Sequence, residues 1–560
     1  MRDRKKTPPE SGLARELLNL EEEFAFFLAG RSKLLAKAAA ARRAKKLSPM
    51  DPAQEKSLWR VWEKQALKSG LDIRLCRRIF ALANGLAYAR ARGDVKKRGL
   101  FTLYPGPRSV DLDIEGPRCL LAVRLWAAAV AVSGREASLS PVILNEALIE
   151  LAKALNQSGA GFSWEKDALL SESGKGLNFT VKTVFAGGDL LNFYLLMAFS
   201  LAAPGRATFS GDAQLRACDL SLEARALAGL GVRLSGIEPY STGLPVRVEN
   251  AVLAEEFRVP DDFPPDLVCA LVLAAPTYPA GLKLTWPSSW TGAGFLERAV
   301  SVLVACGVDV VAGENELSVS PGTFNIPDRP DLPLDPVLCS YLLAMPKFRK
   351  GRVRLKGFWP GKTLEADTAL GLLRAAGLLL EVSEDGITSA SGPEPDALVL
   401  DCADIHGYVP LASALAAASP GRSEALIPPD FEDVDEAGEF LDLCGRRFEA
   451  KPGRVTVAKG SGIKRRARMG AWAGHDPFWH PALALVSLCA PGISIADSGG
   501  FSLLWPGFWA LFNSWFDEPA PVRRIKESPP DGRPDDRPDE RTEEQQQRKR
   551  RIHVRKDKGD

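Results

Sequence analysis

At 560 residues, 46% apolar and 25% charged, the chain is too long for a single hydrophobic core. It sits near the averages of soluble globular proteins, which excludes a fibrous or wholly disordered molecule. A formal net charge of +2 gives no overall field to attract nucleic acid or an anionic membrane, although both ends are locally basic.

The charged start, 1–9, runs into an amphipathic segment without a secretory pattern. The most apolar runs, 120–132 and 190–204, fall short of the ~18 residues a membrane span needs. A cytoplasmic protein without membrane insertion is expected. Nine cysteines (Cys76, Cys119, Cys218, Cys269, Cys306, Cys339, Cys402, Cys444, Cys489) lie mostly among Leu, Val and Ala, with no CxxC. They read as reduced core residues, and neither a metal nor a cofactor is expected.

From Leu13 to Arg92 the apolar spacing is helical, with Leu17, Leu20, Phe24, Phe27, Leu28, Leu34 and Leu35 on the first segment and a break at Ser48-Pro49-Met50-Asp51-Pro52. Asp51 reads as an N-cap with Pro52 in the first turn of the second of three helices. A bundle of this size buries its apolar stripe better as a homodimer.

From Phe101 one unit recurs: an Ala/Leu-rich helix, a glycine, then an alternating strand. It appears at 224–234 around Gly231, 299–311 around Gly307, 369–382 around Gly377 and 440–457 around Gly445, with a looser copy at 147–164 around Gly161. The glycines fit helix C-caps. A period of roughly 70 residues marks an internally repeated α/β (α+β) architecture, two lobes of about three units each. After Phe516 the chain turns Pro-, Asp-, Glu-, Arg- and Gln-rich, with a basic cluster at Arg548, Lys549, Arg550 and Arg551 in its last stretch, the composition of a disordered, solvated tail.

Specific segments then carry a resemblance. Phe101-Thr102-Leu103 through Ile114-Glu115-Gly116-Pro117-Arg118, Ala186-Gly187-Gly188-Asp189-Leu190-Leu191-Asn192, Thr208-Phe209-Ser210-Gly211-Asp212, Pro264-Pro265-Asp266-Leu267 and Ser318–Phe324 follow one another as motifs do in one family. So do Asp401-Cys402-Ala403-Asp404-Ile405-His406-Gly407-Tyr408-Val409-Pro410, Phe478-Trp479-His480-Pro481 and Leu503-Leu504-Trp505-Pro506. Over 101–516 the chain resembles the 5-enolpyruvylshikimate-3-phosphate (EPSP) synthase family. The resemblance implies a two-lobed inside-out α/β barrel, with a first lobe of 96–116 and 326–516 and a second of 117–325, and a tail at 517–560. Residues 1–95 resemble an AroQ-type chorismate mutase through Leu28-Ala29-Gly30-Arg31, Arg42, Pro49–Glu55 and Ile79-Phe80. That likeness implies Arg31, Arg42, Asp51 and Glu55 as its site.

The family likeness implies transfer of enolpyruvyl from phosphoenolpyruvate to shikimate-3-phosphate, both anionic substrates, in a cleft between the lobes. Such a cleft needs several Arg and Lys against the converging anions, and an acid and a base for proton transfer. Arg118 stands for the family's first lysine and Arg124 lies near the next arginine. Asn192 replaces an arginine, Cys218 falls at another with Arg216 two residues away, Asp266 replaces a glutamine, Gly407 replaces the catalytic aspartate and Leu503 the last lysine. Asp404 and His406 are left as acid/base candidates, and His480 is a substrate-binding candidate by its place in its motif. Between Pro428 and Leu443 there is no Lys or Arg, and Asp430, Glu432, Asp433, Asp435, Glu436 and Glu439 make the stretch acidic. Each lost charge-assisted contact costs about 1.5–3 kcal/mol. The loop Lys459–Arg468 is glycine-containing and basic, and reads as a solvated surface. His475 and His480 flank Phe478 and Trp479 and read as structural. Three readings stay open: a divergent enolpyruvyl transferase, a ligand-binding or regulatory homologue without catalysis, and mutase activity of the bundle alone.

Overall fold

A computed structural model describes residues 9–45, 51–92 and 101–516, except 107, 175, 180–182, 432–433, 465–470, 473 and 497–498. The tail at 517–560 and most of the basic stretch after Lys464 therefore lie outside the described residues.

Three helices open the chain: α1 (Pro9–Ala44), α2 (Pro52–Ser69) and α3 (Ile73–Arg92). Asp51 caps α2, its carboxylate accepting from the Ala53 and Gln54 amides. This satisfies amides a helix start leaves without partners. Gly70 ends the helix at φ 67, where a side chain is disfavoured. Trp59, Ala66, Cys76 and Phe80 form a small core between α2 and α3. Among the described side chains of α1, those that are buried, Ser32, Ala36 and Ala39, lie in its C-terminal half.

The remaining described chain builds six sheets. Four share one pattern, in which two parallel strands are continued by an antiparallel hairpin. In one, Thr183–Phe185 lies parallel to Gly205–Ser210, which pairs antiparallel with Val246–Asn250 and thence with Val232–Gly236. The strand Val110–Glu115 pairs in parallel with Gly351–Lys356, so the chain leaves one lobe after 115 and returns near 334. A three-stranded sheet (Ala137–Leu139, Ala168–Glu172, Gly161–Glu165) and the pair Phe101–Leu103 with Ile493–Ile495 complete three sheets per lobe.

Each lobe is centred on helices that are apolar all round, the pattern of a fully enclosed helix. In the second lobe these are Leu120–Ser133, Leu190–Ser200 and Pro265–Ala274; in the first, Pro336–Leu343, Val409–Ala418 and Trp479–Cys489. Leu191 to Phe199 are buried without interruption, each large apolar side chain contributing about 1.5–3 kcal/mol. One continuous core holds Val123 to Leu332 and a second holds Leu103 to Leu112 with Leu334 to Phe516.

The repeated glycines adopt positive φ at Gly231 (82), Gly307 (75), Gly377 (85) and Gly445 (69). The looser copy differs from expectation. Its left-handed residue is Gly159 (φ 117), whereas Gly161 opens a strand. The cysteines are all free, but Cys489 is exposed and Cys218 half-buried, so the core reading holds for the other seven. Among the described residues no helix is long and apolar enough to cross a membrane.

Candidate functional site

In the second lobe, helix starts converge on one cluster of charge. Asp189 caps Leu190–Ser200, its Oδ1 accepting from the Asn192 amide at 3.1 Å, and the same oxygen accepts from Arg124 Nη1 at 2.7 Å. Asp266 lies in the first turn of Pro265–Ala274. Burial pushes its carboxyl up, Arg124 opposing and Asp189 adding. Glu150 accepts from the Gly188 amide at 3.0 Å. Burial raises it, the amide opposes, and Asp212, Glu146 and Asp189 add to the rise. Helix N-termini attract anions; here the protein's own carboxylates occupy them.

Asn192 is fully buried, its Nδ2 donating to Ala147 O at 2.8 Å. Arg118, at the crossing between lobes, donates to the carbonyls of Gly116 (3.0 Å) and Lys356 (2.8 Å) and to Glu115 (3.0 Å). A Cβ on Gly357 would strike this guanidinium. Asp335 caps Pro336–Leu343 by accepting from Leu338 N at 3.0 Å. Burial pushes it up, the Leu338 amide and Arg298 opposing. Arg298 of the second lobe pairs with Glu365 of the first at 2.9 Å, and Tyr408 donates to the Glu365 carbonyl at 2.7 Å.

In the first lobe Gly407 accepts from Tyr341 Oη at 3.1 Å, and the Tyr341 ring stacks on Phe478 at 5.8 Å. Asp404 is exposed. His406 is exposed too, its Nε2 3.4 Å from Asp430. His480 is buried, Nδ1 meeting Pro477 O at 3.0 Å and the ring edge-on to Trp509. Burial holds its pKa down, the Pro477 carbonyl opposing. His475 is exposed beside Glu436 at 2.5 Å. Lys459, Gly460, Ser461 and Lys464 are exposed, whereas Gly462 and Ile463 are partly buried, and Arg465, Arg466 and Arg468 lie outside the described residues. No group of acidic, histidine or cysteine residues suited to a metal occurs among the described residues.

A second assembly lies where the bundle meets the second lobe. Arg31 Nη2 donates to Asn84 Oδ1 at 2.5 Å, and Asn84 Nδ2 donates to Glu55 Oε1 at 3.0 Å. Glu55 pairs with Arg216 at 2.8 Å, both side chains buried. Arg216 also reaches Glu238 at 3.4 Å, and Glu238 pairs with Arg77. The Arg77 guanidinium sits 4.6 Å over Trp59. Burial pulls the Arg216 pKa down, but Glu55 and Glu238 outweigh it and leave it raised. Gly85 of α3 lies against Ala213, a Cβ there having no room, and Arg78 Nε donates to Ala217 O at 2.5 Å. Arg42 and Asp51 pair with each other at 2.8 Å.

The structure thus gathers Arg31, Glu55 and Arg216 into one network and places Arg124 and Asn192 around Asp189. Sequence reasoning missed Asn84, Arg77, Glu238, Arg298 and Glu365. Asp189 was within its reach, since an Asp directly before an apolar helix is an N-cap signal.

No family model matches the chain. Over 410 residues it is 23% identical to the 3-phosphoshikimate 1-carboxyvinyltransferase of Syntrophobacter fumaroxidans, covering 72% of this chain and 96% of that one. The enzyme of the same name from Mycobacterium ulcerans is 28% identical over 340 residues, 58% of this chain and 75% of that one. EPSP synthase from Acinetobacter baumannii superposes with a TM-score of 0.63 at 15% identity, covering 74% of this chain and 98% of that chain. The two-lobed body has the EPSP synthase fold. The enolpyruvyl transferase NikO from Streptomyces tendae shares it at a TM-score of 0.56 and 14% identity, covering 74% and 97%. In this EPSP synthase fold, Arg118, Arg124 and Arg216 all face acceptors from their own chain.

Proposed function

We propose that the chain is a cytoplasmic, 3-phosphoshikimate 1-carboxyvinyltransferase-like protein of the shikimate pathway. Its lobes keep the transferase fold while acting as a ligand-binding or regulatory homologue rather than as an efficient carboxyvinyltransferase. The observation that carries this reading is the pairing of the three arginines: Arg118 with Glu115, Arg124 with Asp189, and Arg216 with Glu55 and Glu238. A substrate phosphate or carboxylate has to displace these carboxylates, and it then meets Asp189 and Asp266 at helix starts where its own charge belongs. Asn192 and Gly407 remove a cation and a proton-transfer group from the same fold. The reading is tested by phosphate release from shikimate-3-phosphate plus phosphoenolpyruvate.

One observation favours retained transfer. His406, next to the position where the family carries aspartate, faces Asp430, an exposed imidazole and carboxylate that can exchange a proton with a ligand. Loss of phosphate release in His406→Gln, starting from a measurable rate, separates this reading from the first.

The bundle is proposed as a chorismate mutase-like module that pairs with a second copy of the chain. Leu13, Leu17, Leu20, Phe24, Phe27 and Leu34 follow the alternating three- and four-residue spacing of a helical seam, each more than half exposed on α1, and such a seam is covered by an identical partner in coiled coils. Conversion of chorismate to prephenate by the full chain, with Arg31→Ala as control, tests the activity.

A further inference from the structure

A cavity of 480 Å³ opens at the seam between α3 and the second lobe, lined among others by Arg74, Leu220, Leu234, Glu238, Tyr240 and Thr242. Its size falls within the ~300–1,000 Å³ of small-molecule sites, which favour domain seams. Tyr240 sits at its edge with φ 60, a left-handed conformation that an aromatic residue adopts only when its surroundings hold it there. Its ring is half-exposed and open for a ligand to pack on.

The lining sorts by chemistry. Arg74, exposed on α3, supplies a cation; Glu238 supplies an anion; Leu220 and Leu234 supply an apolar floor, with the Thr242 hydroxyl beside it. A dicarboxylate entering here meets Glu238, and a simple amine meets Arg74. A molecule carrying a carboxylate, an ammonium and an apolar body satisfies all three at once.

Glu238 is also the carboxylate that holds Arg77 and reaches Arg216. Arg216 lies on the short helix Ala213–Ala217, packed on Gly85 of the bundle on one side. On the other side its loop meets the second lobe's charge cluster, the Asp212 amide donating to Gly187 O. We propose that the seam cavity is an effector site for an α-amino acid with an apolar side chain, and that its occupancy is transmitted through Glu238 to Arg216. An ammonium on Glu238 draws this carboxylate from Arg216 and loosens the 211–218 segment. The inference holds whether or not the lobes transfer enolpyruvyl.

The full chain is titrated calorimetrically with L-phenylalanine and L-leucine, and with hydrocinnamate and L-phenylalaninamide, which lack the ammonium and the carboxylate respectively. Saturable binding of the amino acids is expected, weakened about tenfold or more for either truncated compound and by Arg74→Ala, an exposed substitution that leaves the fold intact. Amide exchange across 211–218 is expected to accelerate on saturation with L-phenylalanine. No saturable binding up to about 10 mM, equal binding of the truncated compounds, or binding unchanged in Arg74→Ala overturns the site. Binding with no change in exchange at 211–218 overturns the transmission.

Discussion

Glu55 of the bundle and Arg216 of the second lobe form an ion pair of 2.8 Å in which both side chains are nearly withdrawn from water. Burying two charges is costly, and the pair is tolerable because Asn84 and Glu238 complete its hydrogen bonding. Removing one partner leaves a charge without compensation. Glu55→Ala is therefore expected to destabilise the chain by about 3 kcal/mol, measured by chemical denaturation. In a double-mutant cycle Arg216→Ala then adds little to the Glu55 variant. Full additivity of the two losses contradicts the pairing.

The raised Asp266 carboxyl has a consequence for pH. Burial, with Asp189 adding and Arg124 opposing, makes the folded chain hold this proton more tightly than the unfolded chain does. Between the ordinary carboxylate range and the raised value the folded state binds more protons, so stability falls as pH rises through that window. Asp266→Asn removes the loss. Its melting temperature is expected to exceed that of the wild type at neutral pH, and the advantage to disappear below about pH 4.

His480 works in the opposite sense. Burial lowers its pKa, the Pro477 carbonyl opposing, so the unfolded chain takes up a proton first as pH falls. The stability this residue lends is present above the ordinary histidine value and is lost below it. Between about pH 6.5 and 5 the wild type should lose stability relative to His480→Gln, in thermal melts across that range. A substrate-facing His480 would instead leave the two curves parallel and change ligand affinity.

Much of the fold could be read from the chain because backbone demands are local. Gly231, Gly307, Gly377 and Gly445 take left-handed φ at helix ends, and the continuous apolar runs at 190–200 and 409–418 became the enclosed helices. The charged site was far less legible. Arg216 was visible as a displaced arginine, but its partners Glu55 and Glu238 come from separate segments, and no local spacing links them. Asp189 carries an N-cap signal, whereas its claim on Arg124 arises only from the packing of two helices. Gly161 misled because glycine both ends helices and opens strands, and the nearby Gly159 took the left-handed position.

The uncovered seam of α1 gives a simple expectation for assembly. Phe24 and Phe27 are exposed in the single chain, so Phe24→Glu with Phe27→Glu should leave its folding unchanged and shift sedimentation from dimer to monomer. An unchanged sedimentation coefficient in the double variant contradicts the seam.

Arg118, Arg124 and Arg216 are engaged by the chain's own carboxylates. Phosphate release from shikimate-3-phosphate plus phosphoenolpyruvate by the purified full chain tests most directly whether this engagement replaces the reaction. No release above the uncatalysed background is expected, at any pH between about 5 and 9. Sustained release that is abolished by Arg124→Ala would contradict it, because Arg124 would then be serving substrate rather than Asp189.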